Sequence, residues 1–354
     1  MGTGSVTEPH HTPYLFDPDA QPSTNPVLCE VLSHLPATSA AFGYGSGVFH
    51  QPGLYSPGLT KPMLDFILAV PDPVEWHARN LARNRGHYSC IGSLGASTIS
   101  RAAEGLGAGV YFNTLVPIGD QLVKYGVIRE SELERDLTQW NSLYCAGRLQ
   151  KPVAWVTAPP PGLHAAAARN LASALLVCRL LLPPTFGQPD LLHALCALSY
   201  RGDVRMGWAE DGAKLERLVA GQGPALGRLY APALRRAIEE EGTLRALGPG
   251  VWTSERCEPL GARHLQALPE ALLQRLQAAA AGHPSPQETA AQLARQLESA
   301  PHLARHSVQS ALASIVRASS LRQTALGLLS GGVVKSARYG LAKVSKAWAR
   351  RQAL

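Results

Sequence analysis

Two stretches decide the fold: Phe42-Gly43-Tyr44-Gly45-Ser46-Gly47-Val48-Phe49 and, further along, Met63-Leu64-Asp65-Phe66-Ile67-Leu68-Ala69-Val70. The second is an apolar, β-leaning run and predicts a strand over Leu64–Val70. One carboxylate, Asp65, interrupts it, and a lone Asp in such a strand is expensive to bury unless it is paired or holds a cation. In the first stretch three glycines at alternating positions leave backbone N–H groups free to approach an anion, with Ser46 as an added donor. An ordinary Gly-rich turn and a hydrogen-bonded Asp at a strand end are the plainer readings of the same residues.

Further β-leaning runs follow at Val110–Phe112, Leu122–Ile128 and Pro152–Thr157. Between them Ser131 and Glu134 form a capping-box pattern, which predicts a helix from Ser131 through Asn141. Past the proline-rich Ala158–Gly162 segment the pattern turns helical, at Leu163–Leu182, Pro189–Ser199, Asp211–Ala220 and Ala225–Glu241. A Gly/Pro/Trp break at Gly248–Trp252 precedes helices near Glu270–Ala281, Gln287–Glu298 and Leu303–Arg317. A mixed sheet in front and helices behind give an α+β class.

The chain has 354 residues, enough for two or so domains and a sizeable core, and its 45% apolar and 17% charged residues are globular values. The best candidate for a spanning helix, Leu163–Leu182, is cut by Arg169 and Arg179, so no transmembrane helix is expected. Net charge is +7, but it is divided unevenly. The 56 positions from Ser299 carry nine Lys/Arg and no acid, which leaves 24 basic against 26 acidic residues before them. The tail is therefore the part expected to meet an anionic surface. Six scattered cysteines without a C-x-x-C pair point to reduced, idle thiols. The first 26 residues, rich in Pro and His, lack the Arg-rich, acid-poor character of a mitochondrial presequence.

Neither a P-loop nor a G-x-S-x-G elbow is present. Trp76-His77, Asn80, Asn84 and His87-Tyr88-Ser89 do not have metal-site spacing, and histidines satisfied in the core are expected there. Lys124, Arg148 and Lys151 lie beside β-leaning runs, placed either to neutralise phosphate or as solvated surface charges. A Gly-Ser loop followed by a carboxylate-bearing strand is the order used by polymerase-β-type nucleotidyltransferases. There the loop holds a triphosphate and the carboxylate holds Mg²⁺.

The strings FGYGSGVFHQ, MLDFILAV, DPVEWHARNL, HYS, GAGVYFNT, KYGVI, LYCAGRLQKPV, SYRGDVRM and SSLRQ, in this order, resemble the mitochondrial phosphatidate cytidylyltransferase family, also called the translocator assembly and maintenance family. The resemblance runs from about Ala41 to Gly332. It implies that CTP and phosphatidic acid give CDP-diacylglycerol and pyrophosphate with Mg²⁺, feeding cardiolipin and phosphatidylglycerol synthesis. It also implies a nucleotidyltransferase domain, a helical winged-helix-like domain and a membrane-binding C-terminal segment, peripheral on the matrix side of the inner mitochondrial membrane. A bacterial relative would sit on the cytoplasmic face of its plasma membrane. Carried over by residue, Gly45 and Ser46 cradle the triphosphate, Asp65 ligates Mg²⁺, and Lys124, Arg148 and Lys151 contact phosphates. Asp203 is a second carboxylate for catalysis and metal, with Glu210 and Asp211 as alternatives. The sequence departs from the wider nucleotidyltransferase pattern in two ways. The spacing from Gly-Ser to Asp is longer, and Ile67 stands where a second carboxylate is expected.

These readings divide the chain into a lead (1–28), a nucleotidyltransferase domain (29–222), a winged-helix-like domain (223–318) and a basic tail (319–354). From Val334 the apolar residues Val334, Ala337, Leu341, Val344 and Trp348 recur at steps of three and four, with Lys335, Lys343, Lys346 and Arg350 on the other side. That pattern describes a helix lying in an anionic membrane surface, with docking on the protein's own core as the alternative. The stripe with Trp348 fits lipid better than nucleic acid, so no nucleic-acid partner is expected. The competing function is a catalytically inactive membrane-bound maintenance or scaffold factor.

Overall fold

The structure, a computed structural model, describes residues 22–49, 61–206, 214–280 and 285–351, with side chains described as far as residue 328. Helix α1 (Pro26–Ser33) precedes strands β1 (Ala40–Tyr44) and β2 (Leu64–Val70). Helices α2 (Pro73–Arg83) and α3 (Ala96–Leu106) lead to β3 (Val110–Ile118) and β4 (Gln121–Arg129). Helices α4 (Glu130–Gln139) and α5 (Ala146–Leu149) are followed by β5 (Ala154–Thr157). The five strands form one mixed sheet in the order β3-β4-β2-β1-β5. β2 and β4 run parallel, and the other pairings are antiparallel.

Strand β2 is central, and its near-continuous apolar character follows from burial on both faces. Phe66, Leu68 and Val70 pack with Leu28, Val31, Trp76 and Tyr125 on one side. Ile67 and Ala69 join Phe42, Phe112, Leu133 and Leu163 on the other. Because side chains alternate along a strand, Asp65 falls on the Ile67 face, at the end of the strand.

The rest of the chain is largely helical and packs on that second face. It comprises α6 (Pro161–Leu181), β6 (Thr185–Gly187), α7 (Gln188–Ala197) and α8 (Lys214–Arg235), then β7 (Arg245–Gly248), β8 (Val251–Thr253) and α9 (Ala262–Gln266). Helices α10 (Glu270–Ala279), α11 (Pro286–Ser299) and α12 (Pro301–Arg351) complete it. One hydrophobic cluster runs from Phe42 through α6 and α10 to Val316 of α12. The α+β class with a mixed sheet is therefore observed. Among the described residues no helix is long and apolar enough to cross a membrane.

Four local expectations need correction. The Ser131 capping box does not form: β4 runs straight into α4 with Arg129 as N-cap and no side-chain cap. The Arg129 guanidinium is drawn instead to Glu104 and the Pro71 carbonyl. The break at Gly248–Trp252 is a hairpin, whose strands extend β6 into a three-stranded sheet, β6-β8-β7. The two helices expected between Asp211 and Glu241 are, from Lys214 onward, one helix containing Pro224 and Pro232 and closing in a π-helical turn at Arg236–Glu240. Each proline removes one N–H donor without ending the helix, because the apolar face stays buried. The Leu303–Arg317 helix continues without interruption through the tail as α12. The positions 222/223 and 318/319 lie inside α8 and α12 respectively.

Candidate active site

Strand register builds the centre of the site. Tyr44 on β1 stands opposite Asp65 on β2, and Asp65 stands opposite Lys124 on β4. Three polar side chains therefore cross the sheet in one row. Lys124 Nζ lies 3.5 Å from Asp65 Oδ1, with the two side chains 17% and 22% exposed. The same ammonium sits 4.5 Å from the centre of the Phe112 ring. Asp65 is thus paired but reachable.

The Gly-Ser segment turns over this row. Gly45 adopts φ +78°, a left-handed conformation that favours glycine. Its carbonyl accepts the N–H groups of Val48 and Phe49 at 3.1 and 2.9 Å. A Cβ on Gly45 would stand 3.7 Å from Asp65 Oδ2, so this backbone and the carboxylate are neighbours. A Cβ on Gly47 would lie 2.1 Å from the Met63 carbonyl oxygen, so only glycine lets the turn rest against the start of β2. Ser46 occupies the turn between them.

Arg148 approaches from α5. Its guanidinium lies 3.9 Å from the Tyr144 ring centre and 5.2 Å from that of Tyr44, and it donates to the Tyr144 carbonyl. Burial pushes the Tyr144 phenol up, but Arg148, Lys124 and Arg205 outweigh it and hold the phenol below its ordinary value. For Tyr44 burial dominates and its phenol stays raised, despite Arg148 and Lys124. Lys151 donates to the Gly147 carbonyl at 2.6 Å and to Ser199 Oγ at 2.9 Å. Burial lowers its pKa, and the nearby cations Lys214 and Arg148 add to that. Lys151 and Lys214 lie 5.0 and 4.9 Å from the centre of the Tyr200 ring. These groups make a cationic, tyrosine-lined wall suited to polyanions.

Asp203 is buried and already engaged. Its Oδ1 accepts the Arg205 N–H and Nε–H, each at 3.0 Å, and its Oδ2 accepts Arg205 Nη2 at 2.7 Å. Gly202, at φ +79°, lets this turn press on α12, where a Cβ would come 2.5 Å from the Ala313 carbonyl oxygen. Glu210 and Asp211 lie outside the described residues, as do the side chains of Lys335, Leu341, Lys343, Val344, Lys346, Trp348 and Arg350. Among the described residues no three His, Cys, Asp or Glu side chains form a metal cluster. Mg²⁺ keeps several waters and takes one or two carboxylates plus substrate phosphates, and a single reachable carboxylate beside an anion-ready turn fits that pattern.

The structure thus brings Gly45, Asp65, Lys124 and Arg148 together, with Lys151 and Arg205 near enough to feel the repulsion of the Arg148 charge. Sequence reasoning passed over Tyr44, Tyr144, Tyr200, Arg205 and Lys214. The one signal for the first four is position within FGYGSG, LYCAGR and SYRGDVR, Lys214 lies outside these strings, and nothing local shows that they converge. The expected core histidine is found on the opposite sheet face: His77 Nδ1 lies 2.8 Å from Tyr88 Oη, in a network with Asn80 and Tyr125.

A family model described as mitochondrial phosphatidate cytidylyltransferase matches residues 28–346. The chain is similar to the mitochondrial phosphatidate cytidylyltransferase of Danio rerio, at 37% identity over 88% of this chain and 90% of that protein. The Xenopus laevis protein of the same name is 38% identical over 89% of this chain and 93% of its own length. For the Rattus norvegicus protein the values are 37%, 91% and 94%.

Proposed function

The chain belongs to the mitochondrial phosphatidate cytidylyltransferase family, and from that premise we propose how its residues carry out the reaction of CTP with phosphatidic acid to give CDP-diacylglycerol and pyrophosphate. The observation that carries the site assignment is the row Tyr44–Asp65–Lys124 beneath the Gly45 turn, with Arg148 alongside. Two polyanions must meet there, so the site needs positive charge and orientation more than a strong base. The phosphomonoester of phosphatidic acid is already ionised near neutral pH and attacks the α-phosphorus in line, with pyrophosphate as leaving group.

The amides of the Gly45–Gly47 turn and Ser46 receive the triphosphate. Lys124, Arg148 and Lys151 neutralise its charge. Asp65 is the proposed Mg²⁺ ligand, and the bound ion supplies charge neutralisation and orientation of the phosphates. Lys124 then moves from the Asp65 carboxylate towards phosphate. Asp203 holds Arg205 against the site, and it serves as a second ligand only by exchanging that pair for the cation. We assign the five-stranded sheet to a polymerase-β-type core and the helices around the β6-β8-β7 sheet to a winged-helix-like unit. The basic tail is the proposed contact with the matrix side of the inner membrane.

Turnover of labelled CTP on phosphatidic acid liposomes tests this reading. Mg²⁺-dependent CDP-diacylglycerol is expected, and Asp65→Asn should remain folded but lose turnover by about 100-fold or more. Appreciable activity in that variant overturns the metal assignment. No product from a chain that still binds liposomes would favour the scaffold role.

A further inference from the structure

The segment that carries Tyr144 and runs into α5 with Arg148 is held from behind by a carboxylate. Asp136, near the end of α4, is 5% exposed. Its Oδ1 accepts the Ser142 N–H at 2.9 Å, the Ser142 hydroxyl at 2.8 Å and the Leu143 N–H at 2.8 Å. Its Oδ2 accepts the N–H groups of Cys145 and Ala146, both at 2.9 Å. Ser142 Oγ in turn accepts the Tyr144 N–H at 3.2 Å, so the carboxylate also reaches Tyr144 through that hydroxyl. Trp140 and Leu143 adopt φ of +57° and +53°, which bends the chain back over Asp136. Two residues beyond Ala146, the chain delivers the Arg148 guanidinium to the Tyr144 and Tyr44 rings.

We infer that Asp136 is a positioning residue for cytidylyl transfer, which sets Arg148 and Tyr144 against the site by gathering the 142–146 backbone onto one carboxylate. The inference rests on the active-site reading above. Only a carboxylate accepts from five donors here, because an amide at this position turns an NH₂ donor towards backbone N–H groups. Displacement of a substrate-positioning group by about 1 Å costs up to ~100-fold in rate.

The test is a double-mutant cycle on the full chain, with labelled CTP and phosphatidic acid vesicles as substrates. Asp136→Asn should lose about 10- to 100-fold in kcat/KM, divided between kcat and KM as in Arg148→Ala. The double variant should fall no more than about threefold below Arg148→Ala alone, because the two act as one unit. A role confined to stability would instead lower the unfolding midpoint and leave the cycle additive. Multiplied losses, or full turnover in Asp136→Asn, overturn the inference. Should Asp136→Asn fail to fold by circular dichroism, Ser142→Ala takes its place: it removes one Asp136 donor and the Tyr144 anchor without a change of charge. The same coupling to Arg148→Ala is then expected, with a smaller loss. An unmodified chain that makes no product overturns the activity and this inference together. An active chain with an additive cycle overturns the inference alone.

Discussion

At the scale of single residues, a polar group set in apolar surroundings carries a cost that its neighbours must offset. A carboxylate inside LDFILAV stands out, and so does a glycine run beside it; Asp65 and Gly45 meet in the structure. Asp136 was hidden for the opposite reason. Within ESELERDL it looks like one more solvated charge on a helix, and its burial depends on the left-handed residues Trp140 and Leu143 turning the chain back. Each such residue costs about 1–2 kcal/mol, which hydrogen bonds to a charged acceptor, worth roughly 1.5–3 kcal/mol each, offset. His77 yields a pH prediction. Burial lowers its pKa from the ordinary 6.5 to about 3, so the folded protein holds the ring neutral. The unfolded chain then binds the extra proton first as the solution is acidified. This contribution to stability is complete above about pH 6.5 and is lost progressively down to about pH 3, at up to ~1.4 kcal/mol per pH unit. Urea unfolding at pH 7 and pH 5 should show a smaller acid loss for His77→Gln than for the unmodified chain. Equal losses would place the acid sensitivity elsewhere.

At the scale of elements, long periodic segments were readable and short or non-local ones were not. Strand β2 matches its expected span because its apolar run is continuous, and α6 matches within two residues because alanine and leucine dominate it. The hairpin of β7 and β8 looks like a break in the sequence because its strands are only four and three residues long and β7 is exposed throughout. The pairing of Asp65 with Lys124 needs the parallel register of β2 and β4, which no local pattern encodes. Helix α12 shows how a distant element closes the sheet. Gln323 Oε1 accepts the Ala108 N–H at 3.1 Å, and its Nε2 donates to the Val110 carbonyl at 3.2 Å. Gln323 is 6% exposed, so both backbone groups at the start of β3 depend on a buried amide. Gln323→Ala leaves them without that partner and should cost about 1–3 kcal/mol of unfolding free energy. Chemical denaturation measures it directly, and a loss under about 0.5 kcal/mol would mean that Leu326 packing on Gly107, rather than this amide, docks the helix.

At the scale of the whole molecule, charge separates where the fold does not. The core cluster joins the sheet to α12 without a seam, yet every residue from Ser299 onward is neutral or basic, with nine Lys/Arg against none acidic. The preceding residues carry 24 basic and 26 acidic groups, so the body brings no net attraction to an anionic membrane. On the proposed reading, a phosphatidic acid surface would attract the end of α12 rather than the body and so orient the molecule before any lipid headgroup is bound. Each cation near such a surface contributes about 1 kcal/mol, and salt screens this over roughly 10 Å at 0.1 M. Removal of residues 333–354 takes away six of the nine cations together with Trp348. Flotation with phosphatidic acid vesicles should therefore drop about 10-fold or more for the shortened chain, and should lose most of its salt dependence. CTP binding should stay within about twofold, because the Asp65, Lys124 and Arg148 cluster is built from the sheet and α5. A parallel fall in vesicle and CTP binding would show that the tail docks on the protein's own core and supports the site from there.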